Sequence, residues 1–394
     1  MLDWLIIGGG IHGTFISHAL TAAGGVRRAA IRVIDPWDEP LYLWRRHTGK
    51  CGMVFLRSPS SHNLDLDFRA LRRYARVAGV GAEHFVEPYA RPSLELFQRH
   101  AAHVLAEFSL ADLRVTGRAR RVVRIRNGAR VETDAGAIDA RNVILAVSMN
   151  EAASYPEWWN GTDRRFSHVF DVNRDAGPLS GTVLIVGGGI TAAQKALESA
   201  AAGLKVIVVS RHDVRESRFD SDPCYIGPKC RRFFLSVRDP VERRRIISSA
   251  RYPGTIPPDV LNAFRSAVAR GRIVLKVGDI IRASSDDSTR TVNLSVVARD
   301  STGPDIVTGD HVVLATGFKA GPPASELVAM IARDFGAPLA PDGYPIPDRT
   351  LRWTDCIRVA GELADMELGP PSKNIIGAHH AARLILSSLS VRNG

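Results

Sequence analysis

Few residues of this chain are spaced for bond-making chemistry of their own. The clearest pattern is built from glycine instead: Leu5-Ile6-Ile7-Gly8-Gly9-Gly10-Ile11-His12-Gly13, then Thr14 to Leu20 at helical spacing, then Ile31-Arg32-Val33-Ile34-Asp35. Strand, Gly-x-Gly-x-x-Gly turn, helix, strand and acid, in that order, are what a bound dinucleotide requires. Gly8 permits the tight turn, Gly10 lets backbone approach a pyrophosphate, and Gly13 lets the helix pack close to the strand. The free N–H groups and positive dipole end of the helix then face the phosphates. Gly9 and His12 lie inside this turn, and the histidine is expected beside a phosphate or facing solvent. Asp35, 22 residues beyond Gly13, is placed to accept hydrogen bonds from ribose hydroxyls.

The arrangement returns about 180 residues later as Val183-Leu184-Ile185-Val186-Gly187-Gly188-Gly189-Ile190-Thr191-Ala192-Ala193, a helix through Leu197, and Lys205 to Val209 followed by Ser210-Arg211. Ala192 takes the place of the last glycine, a change the fingerprint tolerates. Two dinucleotide sites in one chain imply that electrons pass from one bound dinucleotide to the other. Where the first unit has Asp35, which would repel a phosphate and suits FAD, the second has Ser210-Arg211, which suits the 2′-phosphate of NADP. His212, Arg215 and Arg218 follow closely enough to add to that phosphate site. The competing explanation for Arg211 is a solvated arginine at a strand end.

The elements that must position these turns follow from length and composition. A chain of 394 residues, 45% hydrophobic, can bury two full cores. The expected fold is α/β, with two Rossmann-like three-layer dinucleotide-binding domains and the NADPH domain inserted in the FAD domain. Residues 1–155 and 311–394 are assigned to FAD and residues 180–310 to NAD(P)H. Leu113 to Ile125 and Ala129 to Ile138 read as hairpin segments before a strand at Val143 to Ala146, and Tyr155 to Gly181 as one crossing between domains. Asp213 to Pro258, polar and rich in arginine, reads as an insertion near the nicotinamide site. Val260 to Arg270 reads as a helix with Asp259 at its N-cap.

The formal charge of +11 comes from 45 Arg against 7 Lys, scattered along the chain. Neither Arg231-Arg232 nor Arg243-Arg244-Arg245 has the interleaved aromatics of a nucleic-acid surface, so no nucleic-acid partner is expected. Cys51, Cys224, Cys230 and Cys356 are too few and too irregular for a disulfide framework and lack Cys-x-x-Cys spacing, so each is expected to be buried or structural. No apolar run approaches a membrane span, and no signal sequence precedes the first glycine turn. A cytoplasmic protein with a small-molecule substrate, no membrane partner and no metal is expected.

With these segments the chain resembles the two-dinucleotide-domain flavoproteins, and within them the NADPH-dependent flavin monooxygenases that include lysine and ornithine N-hydroxylases. The turn at 8 to 13 is similar to the family's FAD motif, and Gly187 to Gln194 to its NADPH motif. His311-Val312-Val313-Leu314-Ala315-Thr316-Gly317-Phe318 resembles the apolar strand ending in Ala-Thr-Gly where the chain returns to the FAD domain. Ile357 to Glu362, Gly369-Pro370 and Asn374-Ile375-Ile376-Gly377-Ala378 resemble the segment that lies along the flavin. The resemblance therefore places Gly361, Asn374, Ile375 and Ile376 with FAD, and Gly317 with NADPH. A looser match covers Trp44 to Asp65, with His47, Gly52-Met53, Arg57-Ser58-Pro59 and Asn63-Leu64-Asp65.

What the resemblance implies is a reaction in which NADPH delivers hydride to the flavin, oxygen adds to give a C4a-hydroperoxide, and an amine or other soft nucleophile takes up the distal oxygen. The cofactor does the bond-making, so no catalytic side chain is assigned. His47, Ser58 and Asn63 could face the flavin by this resemblance, His168 lies near the crossover, and His379 and His380 fall on a C-terminal helix without metal-ligand spacing. Two departures matter. The first Ala-Thr-Gly strand end is Leu145-Ala146-Val147-Ser148, and the chain is short for a siderophore hydroxylase. The alternatives are a reductase passing electrons to a quinone, a metal or a partner protein without oxygen insertion, and a flavoprotein sensor.

Overall fold

A computed structural model of the chain describes residues 1–390 apart from 160, 162, 175, 176, 299, 300 and 302. Four positions of the expected crossing at 155–181, and the last four of the expected C-terminal FAD segment, thus lie outside the described residues.

The apolar runs flanking each glycine turn become central strands of two separate parallel sheets. In the first, Leu2–Ile7 lies between Ile31–Asp35 and Gly136–Leu145, with Arg114–Thr116 beyond the former and Ile357–Val359 alongside the latter. Leu5-Ile6-Ile7 and Val143-Ile144-Leu145 are apolar at consecutive positions because both faces of a parallel strand are covered, and all six residues are buried. The hairpin segments become Ala119–Ile125 and Gly128–Thr133, which extend the same sheet in antiparallel fashion. Helices Ile11–Ala22 and Ile375–Ser390 pack against each other beside it.

The second sheet runs Ile273–Val277, Lys205–Ser210, Thr182–Val186, His311–Leu314, Phe166–His168, all parallel. Helices Ile190–Ala201 and Pro258–Ala269 bury Ala192, Ala196, Leu261 and Phe264 against Val183, Ile185, Val206 and Val208. The opposite face, with Leu184, Val186, Val209 and Leu314, is covered by an antiparallel sheet of Asp279–Asp286, Thr291–Val297 and Asp305–Gly309. This gives the second unit three layers.

Three sequence expectations shift. His311–Leu314, expected to open the returning FAD segment, is a strand of the second sheet, because Thr182–Val186 has a free edge where Val312, Val313 and Leu314 can be buried. Phe166–His168, expected within a crossing, supplies the next strand of that sheet. Asp259 is not an N-cap: the helix starts one residue earlier, at Pro258, and the Asp259 carboxylate meets Arg91 of the first unit at 2.6 Å.

Arginine joins the two units. Arg57 donates to the carbonyl oxygens of Ser217 and Phe219, both at 2.6 Å, and to Thr255 Oγ1 at 2.8 Å. Arg244 binds the buried carboxylate of Asp365 at 2.6 Å, while Arg243 donates to the Met366 carbonyl and lies 3.4 Å from Glu367. The run Arg243-Arg244-Arg245 is therefore largely spent on an internal contact. Asp365, nearly enclosed, has its carboxyl pushed up to about 6 by burial, against the pull of Arg244.

Candidate functional site

The first glycine turn is held from both sides. The Gly8 N–H donates to the Ile34 carbonyl at 2.8 Å, and Gly8 has φ +111°, where a Cβ would lie 2.5 Å from the Ala146 oxygen. A Cβ at Gly13 would lie 1.8 Å from the Gly8 carbonyl oxygen, so only glycine lets this helix approach the strand. Around Gly10, by contrast, nothing stands within 4 Å of where a Cβ would be. Gly10 caps the helix without a side chain, and the first turn carries no acid, which leaves the dipole end available to an anion.

Asp35 closes the turn. One of its oxygens accepts the Gly9 N–H at 2.5 Å and the other the Trp37 N–H at 3.1 Å, and the guanidinium of Arg114 lies 3.7 Å away. Arg114 comes from the strand beyond Asp35 and also donates to the Trp37 carbonyl. Sequence spacing does not reveal this arginine, since it reaches the turn only through sheet pairing.

The C-terminal segment meets the same turn. His12 packs against Gly361, whose φ of +64° would direct a Cβ to within 3.7 Å of the imidazole. Neither ring nitrogen of His12 has a well-formed hydrogen bond, and the backbone of Lys373 and Asn374 is closest. Burial holds its pKa down to about 4, so the ring is neutral near pH 7. His379 stacks on Phe15 with ring centroids 4.1 Å apart, and its Nε2 lies 2.7 Å from the Asn63 carbonyl oxygen. His62 and His380 sit close enough to interact with it electrostatically, both lowered to about 4 chiefly by burial. Four histidines from three stretches of sequence thus collect as neutral groups. His62 carries no sequence signal of its own.

Other expected flavin-facing residues are used differently. The Asn63 amide donates to the carbonyls of Ser60, Asp67 and Phe68 and accepts the Asp65 N–H, so it organises its loop. His47 lies 2.6 Å from the Asn150 carbonyl oxygen and beside the rings of Phe170 and Phe318, where His168 also lies. These two histidines form a crossover cluster instead of joining the group around His12. Ser58 is half-buried. The Asn374 amide donates to Asp220 at 3.1 Å and Ser221 at 3.4 Å, tying the closing segment to the second unit. Ile375 is buried and Ile376 half-buried at the start of the final helix.

The second turn repeats the backbone but not its surroundings. Gly187 stands against the Ala315 carbonyl, and Gly189 caps helix Ile190–Ala201 without a side chain or a first-turn acid; Ile190 and Thr191 open that helix half-buried. Ser210 is buried facing Gly188, its hydroxyl donating to the His212 carbonyl at 2.6 Å. Arg211 is exposed and, among the described residues, makes no side-chain hydrogen bond or ion pair. Arg215 donates to the Pro253 carbonyl and touches His212, each at 3.2 Å. That places Gly254 over the turn, its Cα 3.2 Å from where a Cβ of Gly189 would be. Gly317, φ +79°, accepts the Ser154 N–H at 2.9 Å and has open space around it.

The four cysteines divide. Cys51 and Cys356 are buried thiols, both raised to about 11 by desolvation. Cys224 and Cys230, expected to be buried or structural and outside any disulfide framework, form a disulfide. The one-turn helix Pro223–Ile226 and the helix starting at Pro228 fold the chain back on itself, bringing the two Cα atoms to 5.6 Å, within bridging range. Among the described residues no group of three His, Cys, Asp or Glu side chains is arranged to hold a metal, and no helix is long and apolar enough to cross a membrane.

No protein-family model and no curated protein sequence matches this chain. Among solved structures it is similar to the ornithine hydroxylase of Pseudomonas aeruginosa, with TM-score 0.77, 18% identity and all of both chains covered. It is similar to the ornithine N-hydroxylase of Kutzneria sp. 744, carrying reduced FAD, NADP+ and L-ornithine, with TM-score 0.76 and 14% identity over all of both chains. It is also similar to the bacillithiol disulfide reductase of Bacillus cereus, with TM-score 0.65 and 16% identity over 99% of each. At these identities the likeness is one of fold, and it joins two kinds of chemistry.

Proposed function

We propose that this chain is a flavoprotein oxidoreductase that holds FAD at the first glycine turn, takes hydride from NADPH at the second, and oxygenates an amine or another soft nucleophile. The observation that carries the proposal is the pairing of two helix N-termini without a side-chain cap, one beside Asp35 and one beside the strand end at Ser210, which exposed Arg211 follows in sequence. The residues present fit both groups. The space beside Gly10 admits a pyrophosphate, and neutral His12 can donate or accept a hydrogen bond there without bringing charge.

FAD bound there supplies two-electron and oxygen-transferring chemistry that no side chain of this chain provides. The protein's own contribution is placement. Asp35 stands at the strand end where an adenosine ribose would lie, while Gly361 packs the closing segment against His12 of the turn and Asn374 ties that segment to the second unit. Arg57, Arg243, Arg244 and Arg251 hold the second unit against the first, which fixes the approach of a nicotinamide and limits water. The substrate class is argued from the N-hydroxylases of like fold, and the same two sites would also serve a reductase.

Purified protein with bound flavin, mixed with NADPH in air and screened against amines, sulfides and ketones, tests the oxygenation. Oxygenated product with NADPH consumption matched to it is expected. Rapid flavin reoxidation with peroxide release and no product for any compound would favour the reductase.

A further inference from the structure

We propose that the Cys224–Cys230 disulfide is a second redox centre of this chain, reduced to a dithiol by electrons that NADPH delivers and that pass through the flavin held at the first dinucleotide site. The inference rests on the assignment of FAD to that site. Its starting point is location. The bridge belongs to the segment 220–236, which lies over the stretch of the first unit expected along the flavin: Asp220 accepts from Asn374, Arg251 joins Asp220 to the Pro370 carbonyl, and the Phe234 ring lies 3.3 Å from where a Cβ of Gly369 would be. Cys224 lies four residues beyond Asp220, and the Asp222 carboxylate between them receives the Cys224 N–H at 2.9 Å.

Chemistry separates this pair from the other sulfurs. Cys51 and Cys356 are buried thiols whose desolvation disfavours the reactive thiolate. Both bridged cysteines are half-buried, so their sulfurs can meet a reductant and take up protons from solvent. A bridge closing so short a loop, six residues in sequence, removes less chain entropy from the unfolded state than one closing a long loop. The fold itself is shared by N-hydroxylases and by a disulfide reductase.

The step balances without another reactant. NADPH gives up a hydride and solvent one proton, the S–S bond breaks on taking the electron pair, both sulfurs become thiols, and NADP+ leaves.

Anaerobic titration of flavin-loaded protein with NADPH, followed by flavin absorbance and by alkylation of thiols after denaturation, tests this directly. Wild type should consume two equivalents of NADPH per flavin, and its alkylatable thiols should rise from the two of Cys51 and Cys356 to all four. The double variant Cys224→Ser, Cys230→Ser should keep its flavin spectrum, consume one equivalent and gain no thiol. A wild type that bleaches with one equivalent and gains no thiols overturns the inference, as does protein with four free thiols before any reductant. If NADPH fails to bleach the flavin, the assignment of the second site fails alone, and photoreduction with EDTA decides the disulfide: thiols rising to four support it and thiols staying at two overturn it. Protein that holds no flavin overturns both.

Discussion

The two glycine turns share a backbone and differ in what surrounds them. At the first, Gly10 faces open space while the acid at the strand end is tied down by Gly9 and Arg114. At the second, Gly254 lies over Gly189 while the strand-end Arg211 stands free. The first turn is thus closed around a carboxylate already held in place. The other carries a loose cation and a covering loop pinned by Arg215. Such a contrast suits one dinucleotide that stays and one that enters and leaves with each turnover. A resident cofactor gains from preorganisation, and an exchanging one needs a cover that opens.

The strongest way to break this comparison is to fill each turn. Gly10→Val should give a folded, colourless protein, because its side chain enters open space where the pyrophosphate is placed, and circular dichroism should still report a native melting transition. Yellow protein from that variant would remove the first assignment. Gly189→Val should keep flavin but lose NADPH-driven bleaching, since the new side chain meets Gly254 as well as the coenzyme.

Next in size is coenzyme choice. A guanidinium on the 2′-phosphate makes charge-assisted hydrogen bonds worth about 1.5 to 3 kcal/mol, or roughly ten- to a hundredfold in affinity. Wild type should prefer NADPH, Arg211→Ala should raise KM for NADPH by that factor and barely alter NADH, and Arg211→Asp should reverse the order. Steady-state flavin reduction with both coenzymes measures it, and equal losses would return Arg211 to a solvated strand end.

The histidines around the first turn give a smaller, pH-dependent effect. Burial lowers His12, His62 and His380 from 6.5 to about 4, so between those values the unfolded chain binds more protons than the folded one. Stability should therefore fall as pH drops from 6.5 to 4 and level off below. Asp365, raised from 3.8 to about 6, works in the opposite direction between those two values, as does the raised Glu367, but they oppose a larger set, since burial lowers His100 and His168 to about 4 as well. Melting temperatures across pH 7 to 4.5 should decline by several degrees, and a flat profile would mean that these histidines are protonated in the fold. Smallest of all, Gly254→Ala strains a residue at φ +68° by about 1 kcal/mol. It should shift the KM for NADPH a few-fold while flavin content stays constant.

Much of the fold was legible because parallel strands must be apolar at consecutive positions and dinucleotide turns must be glycine. Leu5 to Gly13 and Val183 to Ala193 meet both conditions, and each becomes the predicted strand, turn and helix. The segment Ile357 to Glu362 was marked only by its resemblance to the family's closing segment, and its Ile357–Val359 becomes a strand of the first sheet. The strand at 311–314 was visible as a strand but not as part of the second sheet, because pairing is a choice between two edges that local sequence does not encode.

Local sequence by itself determined the two turns and the contrast between Asp35 and Arg211, since these depend on neighbouring residues and fixed periodicities. Only the tertiary structure decided which side chains meet from afar. It brought Arg114 to Asp35 through strand pairing, collected His12, His62, His379 and His380 from three stretches, and spent Arg57, Arg243 and Arg244 between the two units. It also turned Cys224 and Cys230 toward each other. The physical reason is the same in each case: a hydrogen bond, an ion pair or a sulfur bridge depends on distances of a few ångströms, and those are set by how elements pack rather than by their order along the chain.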